Sequence, residues 1–404
     1  MWYVGIDWSD THHDLLVLDD AGHQVASKRV AHTKAGLETL VALLRGISGP
    51  DQKEQIACII ETNHGLLITA LLEAGFAVYP VHPKTVNRRR GSAGGKTDQI
   101  DAYLLAKMGR AELADLRKLQ PDWQEIAELK ALTRDQEGLI QMQTRLVKQL
   151  TACLKGYFPA ALTLFTKLQQ RSRLLLLQTY PTPQLAKLAT SQDIEEVLRK
   201  HGHPNPSKVA PKIREKLQQP QLTADEVSTR TQARLLKAIF QQLMPLVEQI
   251  AEYEKAIEDL FLSHADSAIF ASLPGAGQRL APRLLAEVGD DRERYPNAQG
   301  LAALAGTAPV FYQSGNYAKA HRRQACLKHL RNALYQLAWQ STRSQAWARD
   351  YHQRKRKEGK SHSVAVRALS NVWVRIIYAM WLTNKEYDPA IFEKAKRDHA
   401  PIAA

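Results

Sequence analysis

The chain has 404 residues, enough for two or three domains with buried cores and no disulfide staples. Its 55 lysines and arginines against 41 aspartates and glutamates leave a formal charge of +14, so a polyanion is the first partner to consider. Cys58, Cys153 and Cys326 stand in no disulfide or metal-ligand spacing, the start MWYVGIDWSD has no basic head before an apolar run, and no uncharged apolar stretch reaches the ~18 residues of a membrane span. Secreted, membrane-embedded, collagenous and disulfide-knot classes are thereby excluded, and a reducing compartment is expected.

The opening reads as short strands over Tyr3 to Trp8, His13 to Leu18 and Gln24 to Arg29, with Asp19-Asp20-Ala21-Gly22 as the turn between the last two, an antiparallel meander. Thr33 suits the N-cap of a helix from Lys34 to Leu44. Gln55 to Ile60 and Phe76 to Val81 read as buried strands either side of a helix near Leu66 to Glu73. Three strands, helix, strand, helix, strand is the order of an α/β RNase-H-like domain.

Four carboxylates fall at ends of these elements. Asp7 closes the first strand, Glu61 follows the buried strand CIIE's isoleucines, and Asp98 and Asp101 lie in KTDQIDAYLLA, where Thr97 can cap a helix and set both acids in its first turn. Carboxylate oxygens suit hard Mg²⁺ or Mn²⁺, and two such ions about 4 Å apart serve phosphoryl transfer. Taken singly, an acid at a strand end is a solvated terminus and an acid in a first helical turn favours the helix dipole. Just before the last pair, Lys84, Arg88, Arg89, Arg90 and Lys96, interspersed with Gly91, Gly94 and Gly95, can follow a phosphate backbone or form an ordinary solvated surface.

From Trp123 to about Leu154 the pattern is helical, with Leu132, Leu139 and Leu146 seven apart. A second seam runs through Leu236, Ile239, Leu243, Leu246, Ile250, Tyr253, Ile257 and Leu260. Together they suggest an antiparallel coiled-coil arm or an oligomer contact, with a kink at Pro245. The proline-rich stretch between them reads as mostly irregular connectors around a small helical insert, and as scaffold.

Next, SLPGAGQRLAPRLL resembles a helix-hairpin-helix turn, in which Gly275 and Gly277 would let backbone N–H groups approach a phosphate. In the following YQSGNYAKAHRRQACLKHLRNAL, Ser314 stands in a Gln-Ser-Gly turn ahead of Lys319, Arg322, Arg323, Lys328 and Arg331. No neighbouring residue supplies a base, so the residues alone read Ser314 as a turn residue. Trp339, Trp347, Tyr351, Trp373 and Trp381, interleaved with cations, suit stacking platforms in a phosphate-gripping groove or members of a helical core.

In order, GIDWSDTHHDLLVLD, IIET, KTDQIDAYLLA, FPAAL, YPTP, LPGAG, YQSGNYAKAHRRQACLKHLRNAL and the EYDPA ending resemble the DEDD transposases of the insertion sequence 110 family, from about Met1 to Asp388. The resemblance implies a RuvC-like domain over 1–120, a coiled-coil arm with helical insert over 121–265, a mainly α transposase domain over 266–390 and a tail over 391–404. It implies that Asp7, Glu61, Asp98 and Asp101 bind Mg²⁺ or Mn²⁺ and that Ser314 forms a covalent serine–DNA intermediate on double-stranded DNA. It further implies an element-encoded guide RNA, a homo-oligomer (dimer or tetramer) with a site composed from two chains, and a cytoplasmic, nucleoid-associated protein of a bacterium or archaeon. The other readings are a RuvC-type junction nuclease that uses water and a non-catalytic nucleic-acid-binding protein.

Overall fold

The computed structural model describes residues 1–49, 52–89, 97–164, 168–315 and 317–391. Arg90, Lys96 and the glycines between them, with nearly all of the tail, lie outside the described residues. The chain divides into two compact units, Met1–Pro121 and Asp122–Ala404. Among the described residues no helix is long and apolar enough to cross a membrane.

The first unit is a five-stranded mixed sheet covered by helices. Strands β1 (Trp2–Trp8), β2 (His12–Leu18) and β3 (Gln24–Ala31) form the meander. Helix α1 (Lys34–Ser48) then leads to β4 (Ile56–Ile60), and α2 (Leu66–Glu73) to β5 (Ala77–Pro80). The order is β3-β2-β1-β4-β5, with β1 antiparallel to β2 and parallel to β4. Helical crossovers accompany the parallel pairs because parallel strands cannot be joined by a tight hairpin. Thr33 caps α1 as expected, accepting from Gly36 N at 3.2 Å, and the helix runs one turn further than the sequence suggested.

Strand alternation divides the core. Val4, Ile6, Leu15, Val17, Ile56, Cys58 and Ile60 pack with Leu40 and Leu44 of α1 and Leu67, Ile68 and Leu71 of α2. On the other face, Tyr3, Ala57 and Ile59 pack with Val86 of α3 (Pro83–Arg89) and Leu105 and Met108 of α4 (Asp98–Glu112), while Leu16 and Leu18 meet Ala102 and Ala106. At two points α4 touches the sheet too closely for any side chain. A Cβ at Gly5 would lie 1.9 Å from Ala102 O and 2.4 Å from Ala106 N, and one at Gly109 would lie 2.2 Å from Ile59 Cδ1.

The second unit is helical apart from one hairpin. Helices α5 (Gln124–Tyr157) and α11 (Glu226–Ser263) run antiparallel: Ile126 and Leu129 share a core with Ile257 and Phe261, whereas Leu150 and Leu154 share one with Leu236, Ile239 and Leu243. Pro245 lies inside α11 without ending it. The intervening segment is not mostly irregular. It forms α6 (Ala160–Leu164), α7 (Arg171–Thr179), α8 (Pro183–Leu188), α9 (Ser191–Lys200) and α10 (Pro206–Gln218), which share the second of those cores. Pro183 and Pro206 open helices, where the missing N–H costs nothing, so prolines that read as connectors are helix starts.

Beyond α11 come α12 (Ser267–Ala271), α13 (Gly277–Val288), α14 (Ala298–Leu304), the strands β6 (Val310–Ser314) and β7 (Tyr317–His321), then α15 (Lys328–Ser344), α16 (Ala346–Lys357) and α17 (His362–Thr383). Arg134 and Glu137 of α5 pair with Glu287 and Arg283 of α13, at 2.7 and 2.8 Å. Trp347, Trp373 and Trp381 are buried in this core, so three of the five aromatics considered as stacking platforms are structural. Gly275 has a left-handed backbone (φ 81°), and a Cβ there would come within 3.0 Å of Gln340 Cβ; its glycine is required by the turn and by packing on α15.

Gly5→Ala should destabilise the first unit by about 3 kcal/mol or more, because the clash is with backbone atoms that cannot rotate away. Gly46→Ala in α1, whose Cβ would meet nothing within 4 Å, should stabilise by about 0.5–1 kcal/mol. Urea denaturation of both variants measures the contrast.

Candidate functional site

The alternation that directs Tyr3 and Gly5 toward α4 directs Asp7 the same way, and on β2 it does so for Asp14, two residues before Leu16. Asp7 and Asp14 are directly opposed across β1 and β2. On the parallel side Ile6 aligns with Ile60, which makes Asp7 and Glu61 the next residues along neighbouring strands. Thr97 caps α4 by accepting from Ile100 N at 3.2 Å, and the first turn carries Asp98 and Asp101. Because α4 rests on β1 at Gly5, that turn lies over the strand-end acids.

Asp101 is buried, Asp7 and Glu61 are half-buried, and Asp98 is exposed. Burial first, then Asp101, Asp98, Glu61 and Asp14, push the Asp7 carboxyl up from its usual 3.8 to about 6. Four carboxylates therefore act on Asp7 at this corner, and such a gathering of carboxylate oxygens fits a hard divalent cation, which would relieve the repulsion on Asp7. The four acids singled out by sequence do not form the tightest group. Among the described residues, the ligand atoms that lie within 4.8 Å of one another belong to His12, Asp14 and Asp98.

Arg29, opposite Asp14 on β3, explains this placement. Its Nε donates to both Asp14 carboxylate oxygens at 3.0 and 3.1 Å, and its Nη2 donates to Asp98 at 2.9 Å. Asp98 is thus turned toward Arg29 and His12, while Asp101 points into the fold. Asp14, His12 and Arg29 went unread in the sequence. Its available signal was an acid two residues before Leu16 in HHDLLVL, at a position of the face that the leucines bury. Of the basic residues next to this site, Lys84, Arg88 and Arg89 are exposed on α3, and Arg89 is paired with Glu112.

In the second unit, Ser314 is the last residue of β6 rather than a turn residue, paired with Tyr317 across the hairpin, and Gly315 supplies the left-handed φ of 54° that the reversal requires. All hairpin strand residues except Val310 are exposed. Ser314 shares a face with Tyr317, Tyr312, Lys319 and His321, since opposed residues lie on one side of a strand pair. Lys319, Arg322 and Lys328 are exposed, and Arg323 is partly buried with its Nε unpartnered. Arg331 donates to Cys326 Sγ at 3.1 Å. Sequence reading missed Arg367 of α17, held below its usual pKa by burial and by Arg322 and Arg331. Gly277 starts α13 with φ 58°, and a Cβ there would meet nothing within 4 Å.

The Asp7 shift has a signed consequence without metal. Its folded pKa lies above the unfolded one, so the native state binds more protons between about pH 4 and 6, and stability falls as pH rises through that window. In EDTA, Asp7→Asn should therefore melt higher than wild type at pH 7.5, with the difference disappearing below about pH 4. Thermal melts across pH test this; a lower Tm for the variant at pH 7.5 contradicts the crowding.

Residues 4–159 match the family described as DEDD_Tnp_IS110 transposase, and residues 267–353 match the transposase IS116/IS110/IS902 family. A Streptomyces coelicolor protein, named provisionally as the mini-circle transposase for IS117, is 31% identical over 96% of this chain and 95% of its own. An uncharacterized 42 kDa protein of insertion element IS900 from Mycobacterium paratuberculosis is 30% identical over 96% and 97%. A pilin gene-inverting protein of Moraxella bovis is 30% identical over 33% of this chain and 41% of its own. With similarity of this extent along the whole length, the chain belongs to the IS110 family of DEDD transposases, the DNA recombinases of insertion sequences.

Proposed function

We propose that this transposase cuts and rejoins double-stranded DNA through a covalent serine–DNA intermediate, with a divalent cation held by Asp7, Glu61, Asp98 and Asp101 in a RuvC-like, RNase-H-fold domain. The observation that carries the reading is the crowding of carboxylates around Asp7, a set of hard oxygen ligands under mutual repulsion. Asp14 and His12 extend the set of candidate ligands, and Arg29 holds Asp14 and Asp98 in position. When bound, Mg²⁺ or Mn²⁺ supplies Lewis-acid polarisation of a phosphodiester.

Ser314 supplies the nucleophile. Its Oγ gives up a proton and bonds to phosphorus; the bond from phosphorus to one deoxyribose oxygen breaks, and that oxygen leaves as a hydroxyl after gaining a proton. The reverse attack by a different strand end releases the serine and joins the strands, so the number of phosphodiester bonds is conserved. Lys319, Arg322, Arg323, Lys328 and Arg331 offset negative charge on the phosphate oxygens, and Lys84 and Arg88 contact the DNA backbone. Support for the inversion of DNA segments as well as insertion comes from the partial likeness to a protein named for pilin gene inversion. The family resemblance alone supports a guide RNA that reads sequence by base pairing and a homo-oligomeric assembly, while the charge of +14 supports a nucleic-acid partner in general.

Ser314→Ala should abolish a protease-sensitive protein–DNA adduct while leaving DNA affinity within about twofold, since one hydroxyl adds little to a many-phosphate contact. Excess EDTA, Asp7→Asn and Asp101→Asn should each suppress strand cleavage by about a hundredfold or more in protein that remains folded. Gel analysis with labelled DNA reads both; cleavage without any adduct in wild type would assign water as the nucleophile and the chain to metal-dependent hydrolysis.

A further inference from the structure

The face of the hairpin that carries Ser314 also carries an aromatic corner that the cutting chemistry leaves unused. Tyr312 and His321 stand edge to face, with ring centroids 4.8 Å apart and planes at 79°. Tyr312, Tyr317, His321, Arg322 and Gln324 line an open cleft of about 570 Å³. Tyr312 and Tyr317 leave 57% and 54% of their surface in water, a costly arrangement for large rings that no other described part of this unit covers. No aspartate or glutamate occurs anywhere from Val310 to Arg331.

We propose that this cleft is a binding site for a single unstacked nucleobase of the DNA strand being cut. The inference rests on the reading of Ser314 as the residue that meets the scissile phosphate, and it adds what is done to the neighbouring base. Two rings at right angles make a corner in which a planar heterocycle stacks on one ring while its edge meets the other, and every base has the π-face this requires. Arg322 and Gln324 bring the donors and the acceptor that base edges pair with. A base within a duplex has both faces occupied and cannot enter, so the occupant is a base extruded from the stack.

The spacing agrees with a base close to the reacting bond. Tyr312 is two residues from Ser314 on the same face, about 7 Å at ~3.4 Å per residue. Tyr317 is directly opposite Ser314. A phosphate at Ser314 therefore has its own or its next nucleotide's base within reach of the corner. Extruding that base loosens the strand at the bond to be exchanged, and refilling the corner with the incoming strand's base would hold the new end for rejoining.

The test uses the full-length Ser314→Ala protein, which leaves the strand uncut, and duplexes of the element end in which 2-aminopurine is moved one position at a time across the exchange site. Its fluorescence, quenched by stacking in the duplex, should rise at one position on protein binding. Tyr312→Leu should abolish the rise and weaken binding about tenfold, the loss of one base–aromatic stack, with the salt dependence of binding unchanged. Tyr312→Phe should keep the rise, which separates loss of the ring from loss of the hydroxyl. Arg322→Gln should instead lower the salt slope by about one. A bound duplex in which no position gains fluorescence, or a rise that persists in Tyr312→Leu, overturns the proposal. So does tighter self-association of the wild type than of Tyr312→Leu together with unchanged DNA binding, which would make the face a contact between copies. Adduct formation by the wild type is scored separately: an adduct without a fluorescence change removes the base site alone, and a fluorescence change without an adduct removes the serine reading alone.

Discussion

The backbone of α4 rests on the backbone of β1 at Gly5, and the acidic corner depends on that contact. Because nothing larger than hydrogen fits between them, the first turn of α4 is fixed against the ends of β1, β2 and β4, where Asp7, Asp14 and Glu61 emerge on the same face. Sheet alternation then does the rest: Gly5, Leu16 and Ile59, each two residues along its strand from one of these acids, pack on the side of α4, so the acids cannot turn away without taking the core with them. The result is a concentration of negative charge that raises Asp7 to about 6 and is only partly compensated by Arg29. A fold that keeps such a group must gain from it elsewhere, and a divalent cation is the simplest gain.

The second unit treats its chemistry in the opposite way. Its core of tryptophans and leucines ties α13 through α17 together, and Arg134 and Glu137 fasten α5 to α13. The hairpin bearing Ser314 stays outside that core, exposed almost throughout, and carries Tyr312, Tyr317 and Lys319, with Arg322 and Arg323 just beyond it. A rigid helical base with an exposed strand pair suits contact with a polyanion, for the major groove of a duplex is wide enough to admit a two-stranded ribbon.

The first unit was largely legible in sequence because its central strands are short, nearly continuous apolar runs, buried on both faces of the sheet, and its turns carry glycine and aspartate. Asp7, Glu61, Asp98 and Asp101 could be read from their places at element ends. Asp14 had a weaker signal, its place two residues before Leu16, and its part becomes plain through its opposition to Asp7 and Arg29, a matter of register. The direction of Asp98 was equally hidden: both Asp98 and Asp101 lie in one helical turn, but one is turned outward by Arg29 and the other is buried. In the second unit the helices from α6 to α10 were obscured by prolines that open helices as readily as they end them. Periodicity could not separate fully buried tryptophans from one at the core's margin, so Trp347, Trp373 and Trp381 read the same as the partly buried Trp339. Arg367 lies 36 residues beyond Arg331 and joins its cluster only through tertiary packing.

Calorimetric titration of the full-length protein with Mn²⁺, repeated in buffers of different ionisation enthalpy, tests the central claim that the acidic corner is a cation site. With Asp7 half-protonated near pH 6, binding there should release protons, the release should fade by about pH 8, and Asp7→Asn should abolish it while Asp101→Asn weakens binding. Mn²⁺ binding as tight in Asp7→Asn and Asp101→Asn as in the wild type, or binding by the wild type at pH 6 with no proton released, would contradict the account.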